Sequence, residues 1–428
     1  MTRLNFLFTT WEGGGNVPPA LEVARKLVQE GHRVRVMSEE CNRVESEATG
    51  ASFTAWTRAL SRSDKFRSSQ IANDWAASSP QVGLMNIVRD IWCKPALDYA
   101  RDVLDELKRE QANLIVTCEA LFGVMAACES IKQPFVLLCP NISLAGLPGV
   151  PPLGPGLMPA RNDEEREMHA QIATAMRDLL DGGLPYLNEA RAALGLPPVT
   201  HLIDQFNSAE AELLATSPAF DFPADSLPDR VRYVGPQVAD PHWTQPWVSP
   251  WPTSDTRPLV TVGFSTTFQN HVAVVQNVID ALASLPVRVL VTRGSSIERR
   301  DLEPAANSVI VDSAPHAAVM RESAFAVTHG GHGTVIRGLY SRIPLLVIPH
   351  GRDQNDNAVR VTARGAGLSL TPDASVDEIR AACQRLLNEP EFKDCAKRLG
   401  DAVAYDADNS TVVQTLESFA KNEQLAPT

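Results

Sequence analysis

Short apolar segments alternate with amphipathic ones along both halves of this chain, and that alternation limits the folds open to it. In the first half, strands are predicted at 4–9, 32–37, 113–117, 135–139 and 212–216, with helices at 21–29, 123–131, 163–180 and 184–194. The second half restarts the pattern, with strands at 259–264, 287–292, 309–311, 324–327 and 345–348 and a helix at 272–285. Strands joined by helices form parallel sheets, so we predict an α/β fold with two doubly wound, Rossmann-like domains.

Length and one irregular stretch predict where the domains divide. A chain of 428 residues is longer than one hydrophobic core usually serves. The stretch 217–252 is rich in proline and aromatic residues, which predicts an interdomain linker. We therefore predict an N-terminal domain at 1–216, a C-terminal domain at 253–405 and a terminal segment at 406–428 that contains a helix at 411–420.

Charge and hydropathy exclude several classes of partner. The formal net charge is −12 and no basic run is present, which disfavours nucleic acid and anionic membranes. No apolar run is long enough to span a bilayer, and the first residues do not resemble a signal peptide, so we expect a cytoplasmic protein. The seven cysteines are scattered without metal-ligand spacing, which predicts reduced thiols and no zinc site.

A glycine-rich turn at 329–334 carries the strongest chemical signal in the sequence. It reads His-Gly-Gly-His-Gly-Thr and lies between the strand at 324–327 and a helical run that begins at Val335. Glycines let a backbone approach a ligand closely, and free amides at a helix start suit phosphate oxygens. His329 and Thr334 add side-chain donors, so this turn is predicted to bind a phosphate group.

This turn and the Asp-Gln pair downstream resemble the C-terminal signature of the family 1 glycosyltransferases, which bind a nucleotide-diphosphate sugar. The resemblance implies the GT-B fold, in which two domains face each other across a cleft and a C-terminal helix crosses back to the first domain. In that family the Asp-Gln side chains hold hydroxyls of the donor sugar, whereas elsewhere such a pair is often a solvated loop. The donor contacts implied here are His329, Gly331, Gly333, Thr334, Asp353 and Gln354.

Two more segments resemble donor-binding parts of that family. Ser265 and Thr266 follow the first strand of the second half, which implies contact with the donor; the alternative is that they cap a helix. Ala314 and His316 resemble the segment whose backbone contacts the nucleobase. No Asp-x-Asp site lies near the phosphate turn, so we expect no metal and no other cofactor.

The identity of the nucleotide stays open at this point. Plant members have a tryptophan and a glutamate where this chain has Ser313 and Arg337. Both departures resemble bacterial natural-product members, several of which use dTDP-linked deoxysugars. The donor is therefore expected to be either a UDP-sugar or a dTDP-sugar.

The catalytic base of the family is missing from its usual place. Members carry a histidine in the first strand–helix turn, and here Asn16 occupies that position. An amide is not basic, so Asn16 cannot take the acceptor proton. Either Glu119 or Glu12 serves as base with a pKa raised by burial, or the acceptor is acidic enough to need no base, or the protein binds without catalysis.

The acceptor site is predicted from aromatic residues after the second strand, a region that forms the acceptor pocket in the family. For each of them, core packing is the alternative role. The predicted acceptor contacts are Trp56, Phe66, Trp75 and Trp92.

The resemblance implies an inverting transferase that moves a sugar to a hydroxyl of a hydrophobic polyketide, macrolide or phenolic aglycone. One alternative is a C-glycosyltransferase acting on an aromatic ring, and another is an inactive auxiliary protein that binds nucleotide sugars. A UDP-sugar 2-epimerase shares the fold, but the Asp-Gln pair argues against it. The protein is expected to be a monomer or a homodimer.

Overall fold

The computed structural model describes residues 2–240 and 246–421, and within them the chain forms two parallel β-sheets. The first sheet consists of β1 Asn5–Thr9, β2 Arg33–Ser38, β3 Ser52–Ala55, β4 Leu114–Thr117, β5 Phe135–Cys139, β6 Ala211–Leu214 and β7 Val231–Tyr233. Their order is β3-β2-β1-β4-β5-β6-β7. The strand order thus runs outward from β1 and β4 in opposite directions, which is the doubly wound arrangement predicted from the sequence.

Both faces of this sheet are buried. Leu7 packs in one hydrophobic cluster, while its neighbours Phe6 and Phe8 on the same strand pack in another. Helices supply the covering layers, as parallel sheets require. They are α1 Val17–Gln29, α2 Arg43–Ala48, α3 Pro80–Ile87, α4 Ala96–Arg109, α5 Phe122–Ile131, α6 Asp163–Leu180 and α7 Leu184–Ala193.

The second sheet has the order β10-β9-β8-β11-β12-β13 and is also parallel. Its strands are β8 Leu259–Gly263, β9 Arg288–Thr292, β10 Ser308–Val311, β11 Ser323–Thr328, β12 Leu345–Val347 and β13 Gly367–Ser369. The remaining helices are α8 Val272–Ala283, α9 His316–Glu322, α10 His332–Tyr340, α11 Gln354–Ala363, α12 Val376–Asn388, α13 Pro390–Asp408 and α14 Val412–Ala420. No helix in the described ranges has the length and apolarity to cross a membrane.

Part of the predicted linker is structured. The strand β7 lies inside the stretch 217–252 and pairs with β6, so the linker prediction was wrong up to Tyr233. Only three residues form β7, too few for an alternating pattern to stand out among the surrounding prolines. The strands β3 and β13, of four and three residues, were also missed. Residues 241–245 of the predicted linker lie outside the described part of the chain.

The last helix packs against the first domain. Val412 and Leu416 of α14 share a hydrophobic cluster with Phe6 and Phe8 of β1. A hydrogen bond of 2.8 Å joins Nε2 of His32 to Glu417. The helix α13 runs through the boundary predicted at 405, so the crossing to the first domain takes place after Asp408, and residues 422–428 of the predicted terminal segment are not described.

Candidate active site

The candidate site lies where the C-terminal edges of the two sheets face each other. The strand order reverses between β1 and β4 in the first sheet and between β8 and β11 in the second. Ligands of open α/β sheets bind at such points because neighbouring connections leave toward opposite faces. A cleft of about 1130 Å³ opens there, and both domains line it, through Glu12 and Gly14 on one side and Thr266, Thr267 and Ser313 on the other.

The glycine-rich turn joins β11 to α10 at this edge. Gly330 has a left-handed φ of 92°, and a Cβ there would lie 2.6 Å from Cγ1 of Val347. A Cβ on Gly331 would lie 2.5 Å from Nε2 of His329, so the imidazole packs directly against the turn. The helix α10 begins at His332, and the first amides of a helix have no partner within it. This backbone geometry suits an anion.

His329 is held as a neutral donor. Burial lowers the pKa of His329 well below its usual range, and neighbouring positive groups lower it further. The Thr328 hydroxyl accepts from the Gly330 amide at 3.3 Å and lies 3.4 Å from Nδ1 of His329. The tautomer that has its proton on Nε2 accepts the Thr328 hydroxyl proton at Nδ1 and presents Nε2–H as a donor. Gly333 and Thr334 lie half-buried in the first turn of α10.

Ser265 and Thr266 lie in a loop before α8 and do not cap it. That helix begins at Val272, and its capping residue is His271. The Ser265 hydroxyl lies 3.0 Å from the Thr267 hydroxyl and accepts from the Gln269 amide group at 3.2 Å. Thr266 lines the cleft. The capping alternative is therefore wrong, because the loop continues for several residues beyond the strand.

The segment predicted to contact the nucleobase lies at the end of β10. Nε2 of His316 lies 3.1 Å from the Thr292 hydroxyl, and burial lowers the pKa of His316 to about 4. Ala314 packs at the margin of a small cluster around Leu290, while Ser313 faces the cleft. The neutral imidazole of His316 thus supports this segment by bonding Thr292 at the end of β9.

Gln354 is buried, so the solvated-loop alternative for the Asp-Gln pair is wrong for this residue. It is 1% exposed, accepts from the His350 amide at 2.6 Å and donates to Oε1 of Gln269 at 2.8 Å. Its amide group is therefore engaged within the protein in this conformation. Asp353 is half-buried and uses one carboxylate oxygen, Oδ2, to accept from Asn357 at 2.8 Å. The pair thus divides into a supporting Gln and a more accessible Asp.

Asn16 lies at the start of α1, where its side chain adopts no capping role. Its Nδ2 donates to the Trp11 carbonyl at 3.0 Å, and among the described residues its Oδ1 has no hydrogen-bond partner. A small cavity of about 10 Å³ adjoins Asn16, and Thr9 and Thr117 also line it. In the same way, the hydroxyls of both threonines lack partners within the described ranges. This volume corresponds to about one water molecule.

Glu12 forms hydrogen bonds within the turn between β1 and α1. Its Oε1 accepts from the Gly14 amide at 2.8 Å, and its Oε2 lies 3.4 Å from Nζ of Lys65. Burial raises the pKa of Glu12, although Lys65 and Arg62 oppose the shift. Both oxygens therefore already have partners that favour the charged form.

Glu119 follows β4 at the same edge of the first sheet. Burial raises the pKa of its carboxyl to about 7. Oε1 accepts from Asn141 at 3.3 Å, and the Cys139 thiol also bonds the carboxyl group, whereas Oε2 is buried and is not hydrogen-bonded to nitrogen or oxygen within the described ranges. A carboxylate that titrates near neutral pH and keeps one free oxygen is suited to accept a proton.

The four predicted acceptor aromatics separate into two groups. Trp56 is a core residue, 3% exposed, and its indole N–H donates to the Thr10 carbonyl at 3.0 Å, so its prediction as an acceptor contact was wrong. Trp92 packs near Phe122 against the same core. Phe66 and Trp75 do line the cleft. Burial by helices distant in sequence decides between these roles, and no local pattern reveals it.

Sequence reasoning missed Arg352 and Asp74, which join the two domains next to the cleft-lining residues Thr267 and Trp75. The side chains of Arg352 and Asp74 form a salt bridge of 2.8 Å. The position of Arg352 directly before the Asp-Gln pair was the one local signal that could have found it. Over residues 2–240 and 246–421, no group of three or more His, Cys, Asp or Glu side chains could hold a metal ion. The expected independence from a metal stays a prediction.

Comparisons with known sequences place this architecture among sugar-transferring enzymes. Residues 276–419 match the family described as erythromycin biosynthesis protein CIII-like, C-terminal domain. The chain is 31% identical over 413 residues to 4'-demethylrebeccamycin synthase of Lentzea aerocolonigenes, covering 93% of this chain and 95% of that protein. It is 23% identical over 415 residues to the NDP-glycosyltransferase YjiC of Bacillus subtilis, covering 96% of each.

Solved structures share the whole architecture. The glycotransferase of kitacinnamycin superposes with a TM-score of 0.75 at 17% identity, covering 98% of this chain and all of that one. The calicheamicin glycosyltransferase CalG4 gives a TM-score of 0.73 at 18% identity, with full coverage of both chains. VinC, solved in complex with dTDP, gives 0.65 at 18% identity, covering 98% of this chain and all of VinC. These similarities confirm the predicted GT-B fold.

Proposed function

Because this chain belongs to the family 1 natural-product glycosyltransferases of the GT-B fold, we propose that it transfers a sugar from a UDP- or dTDP-linked donor to a hydroxyl of a hydrophobic small molecule. The chain is a nucleotide-sugar-dependent glycosyltransferase. The proposal concerns the finer points, which are the donor, the acceptor, the base and inversion at the anomeric carbon.

One contact carries the proposal. The turn between β1 and α1 in the N-terminal domain touches the loop after β8 in the C-terminal domain. A Cβ on Gly14 would lie 3.0 Å from the Thr266 hydroxyl and 3.3 Å from Cγ2 of Thr267. An acceptor oxygen held at the β1–α1 turn would therefore lie next to a sugar held at the loop after β8. Bringing two reactants together in this way removes much of the entropic part of the barrier.

The donor side supplies stabilisation for a leaving diphosphate. The amides at the start of α10 and the N–H of neutral His329 are fixed before the donor arrives, so they need no reorganisation when charge develops on the leaving group. Asp353 keeps its Oδ1 for a sugar hydroxyl, while Gln354 positions the loop through the His350 amide. This arrangement supports a direct displacement, in which the acceptor oxygen attacks as the diphosphate leaves.

We assign the role of general base to Glu119. Its raised pKa of about 7 allows it to be ionised at neutral pH and still accept a proton. Glu12 is the weaker candidate, because the Gly14 amide and Lys65 hold its charged form. Asn16 is assigned no proton transfer, because its amide is not basic and its unpartnered Oδ1 is buried. An acidic acceptor that needs no base remains the alternative.

An aromatic or other hydrophobic acceptor fits the cleft. Phe66 and Trp75 line it on the side of the first domain. The relative named for 4'-demethylrebeccamycin synthesis supports a natural-product acceptor, and the dTDP complex of VinC supports a dTDP-linked donor. Apolar pockets with a few placed polar groups bind such molecules.

The test combines calorimetry and turnover. UDP and dTDP would be titrated into the protein, and the preferred nucleotide would then be offered as a sugar donor with a panel of phenolic acceptors. The proposal expects release of nucleoside diphosphate only when an acceptor is present. Binding without release from any acceptor would contradict it in favour of an auxiliary protein. A product that survives acid able to cleave O-glycosides would replace the hydroxyl acceptor by a ring carbon.

A further inference from the structure

A segment of the first domain, residues 66–76, crosses the cleft and is called the strap below. Oε1 of Gln70 in the strap accepts from the Phe268 amide at 3.0 Å. The guanidinium of Arg67 lies 3.4 Å from the centre of the Phe268 ring, and Trp75 meets the same ring edge-on at 5.0 Å. The strap therefore rests on the loop that follows β8, which is one of the two turns proposed to hold the donor.

Arg352 ties the strap to the donor edge. Its Nε and Nη2 donate to the two carboxylate oxygens of Asp74 at 2.8 and 3.1 Å, and its Nη1 donates to the Thr267 hydroxyl at 3.2 Å. Arg352 has a left-handed φ of 56°, which is uncommon for a residue other than glycine. The carboxylate thus occupies the guanidinium in the two-pronged geometry that arginine also uses for phosphate.

The guanidinium of Arg352 contacts one of the two segments proposed to hold the diphosphate, the loop 265–267, and its charge acts on the other, the glycine-rich turn. Thr267, whose hydroxyl accepts from Nη1 of Arg352, belongs to the loop after β8. At the glycine-rich turn, burial lowers the pKa of His329 most, and coulombic interactions with His271, His350 and Arg352 lower it further. The positive charge of Arg352 is therefore felt at the glycine-rich turn as well.

We propose that Arg352 binds the donor diphosphate, and that Asp74 occupies its guanidinium until the donor arrives. This inference rests on the proposed function, since it names a further binding residue for the same donor. A diphosphate offers more negative charge than one carboxylate, so it displaces Asp74 and keeps the fork geometry. Loss of the Asp74 contact loosens the strap from Phe268 and opens the side of the cleft where Trp75 lies.

Calorimetric titration of the full chain tests this assignment, with UDP and dTDP as probes and UMP and dTMP as references. In Arg352→Gln, affinity for the preferred diphosphate falls by about tenfold or more, the size expected for losing hydrogen bonds to a charged group. Affinity for the matching monophosphate changes less. Arg352→Lys keeps the charge without the fork, so its affinity lies between those of the unaltered protein and Arg352→Gln.

The strap provides the second arm of the test. Asp74→Asn removes the competing charge, so diphosphate binding becomes tighter by a few fold. This gain disappears in the Asp74→Asn, Arg352→Gln double variant, because no guanidinium remains to be released. Gln70→Ala is the matched control, since it removes an uncharged strap contact and leaves the Asp74–Arg352 pair in place. Its diphosphate affinity stays close to that of the unaltered protein.

The outcomes separate this inference from the proposed function. If the unaltered protein binds neither UDP nor dTDP, the proposed function fails, and the assignment of Arg352 fails with it. If the unaltered protein binds but Arg352→Gln binds equally well, only the assignment of Arg352 is overturned. Should Arg352→Gln not fold, unchanged affinity in Asp74→Asn overturns the assignment by itself.

Discussion

The donor edge and the acceptor edge of the cleft are built in different ways. At the donor edge, the turn at Gly330 and the start of α10 present backbone groups in a fixed geometry. At the acceptor edge, Glu119 depends on burial for its raised pKa, and Glu12 depends on Lys65 for its charge. A site made of backbone is encoded in one short segment, whereas a site made of side chains needs several distant segments to come together.

This difference explains why one edge follows the family pattern and the other does not. The glycine-rich turn tolerates little change, because a Cβ at Gly330 meets Val347 and a Cβ at Gly331 meets His329. The acceptor edge carries Asn16 in place of a histidine, with a cavity of about 10 Å³ beside it. A proton acceptor can be supplied from another strand end of the same sheet, and Glu119 lies at such an end. Substitutions at each edge test this comparison, and the largest expected effect comes first.

Glu119→Gln should remove most turnover and leave donor binding intact. Loss of a general base lowers the rate by about 10² to 10⁴-fold. Calorimetry with UDP and dTDP and release of diphosphate with a phenolic acceptor measure the two properties separately. Glu212→Gln is a matched control, because this nearby buried carboxylate bonds Ser143 and has no assigned role in the reaction. Equal loss in both variants would mean that Glu119 acts only through local structure.

The pH profile gives the same prediction a second measurement. Because burial raises the pKa of Glu119 to about 7, the ionised base is depleted as the pH falls below that value. The transfer rate should therefore decline about tenfold per pH unit below pH 7 and level off above it. In Glu119→Gln this dependence should vanish. A profile that stays flat in the unaltered protein would favour an acceptor that ionises without help.

Asp353→Asn should lower transfer while the nucleotide still binds. The free Oδ1 of Asp353 is the group proposed for a sugar hydroxyl, and hydrogen bonds to charged groups contribute about 1.5–3 kcal/mol. The expected loss in kcat/KM is about 10- to 100-fold. Affinity for the free nucleoside diphosphate should not change, since it lacks the sugar. A parallel loss of both would place Asp353 at the diphosphate.

Gly330→Ala should destabilise the donor edge more than Gly195→Ala destabilises a remote loop. Both glycines have left-handed φ angles, 92° and 75°, so both substitutions carry roughly 1–2 kcal/mol of backbone cost. Only Gly330 has a neighbour that a Cβ would strike, at 2.6 Å, which adds about 1–3 kcal/mol. Thermal unfolding and nucleotide titration should show the lower Tm and weaker binding in Gly330→Ala. Equal Tm values would show that the turn relaxes freely.

Trp56→Phe and Trp75→Phe should separate core from cleft at the acceptor edge. Trp56→Phe leaves the Thr10 carbonyl without its donor and should cost about 1–2 kcal/mol of stability, with acceptor KM unchanged. Trp75→Phe should raise acceptor KM and leave Tm nearly unchanged, because Trp75 lines the cleft. An acceptor effect from Trp56→Phe would restore its prediction as an acceptor contact.

Features that depend on neighbouring residues were predicted more accurately than features that depend on contacts between distant segments. Several long helices, such as α6 and α8, were predicted within a few residues, whereas α4, α12 and α13 were not predicted. Helix α1 begins at Val17, because Pro18 fits the first turn of a helix. Some strands of three residues, such as β7 and β13, were missed, whereas the equally short β12 was predicted because its apolar residues are consecutive. Among the aromatic residues, local sequence gave no means to tell buried Trp56 from cleft-lining Trp75.

By itself, the sequence determined the two parallel sheets and the backbone of the donor turn. These depend on apolar periodicity and on glycines, which act over a few neighbouring residues. Tertiary structure alone decided that Gln354 is buried against Gln269, that Glu119 titrates near pH 7 and that Arg352 pairs with Asp74. Arg352 and Asp74 are separated by 278 positions, so no local pattern connects them. Desolvation and charge pairing depend on which surfaces the folded chain brings together, and no short segment of sequence determines those surfaces.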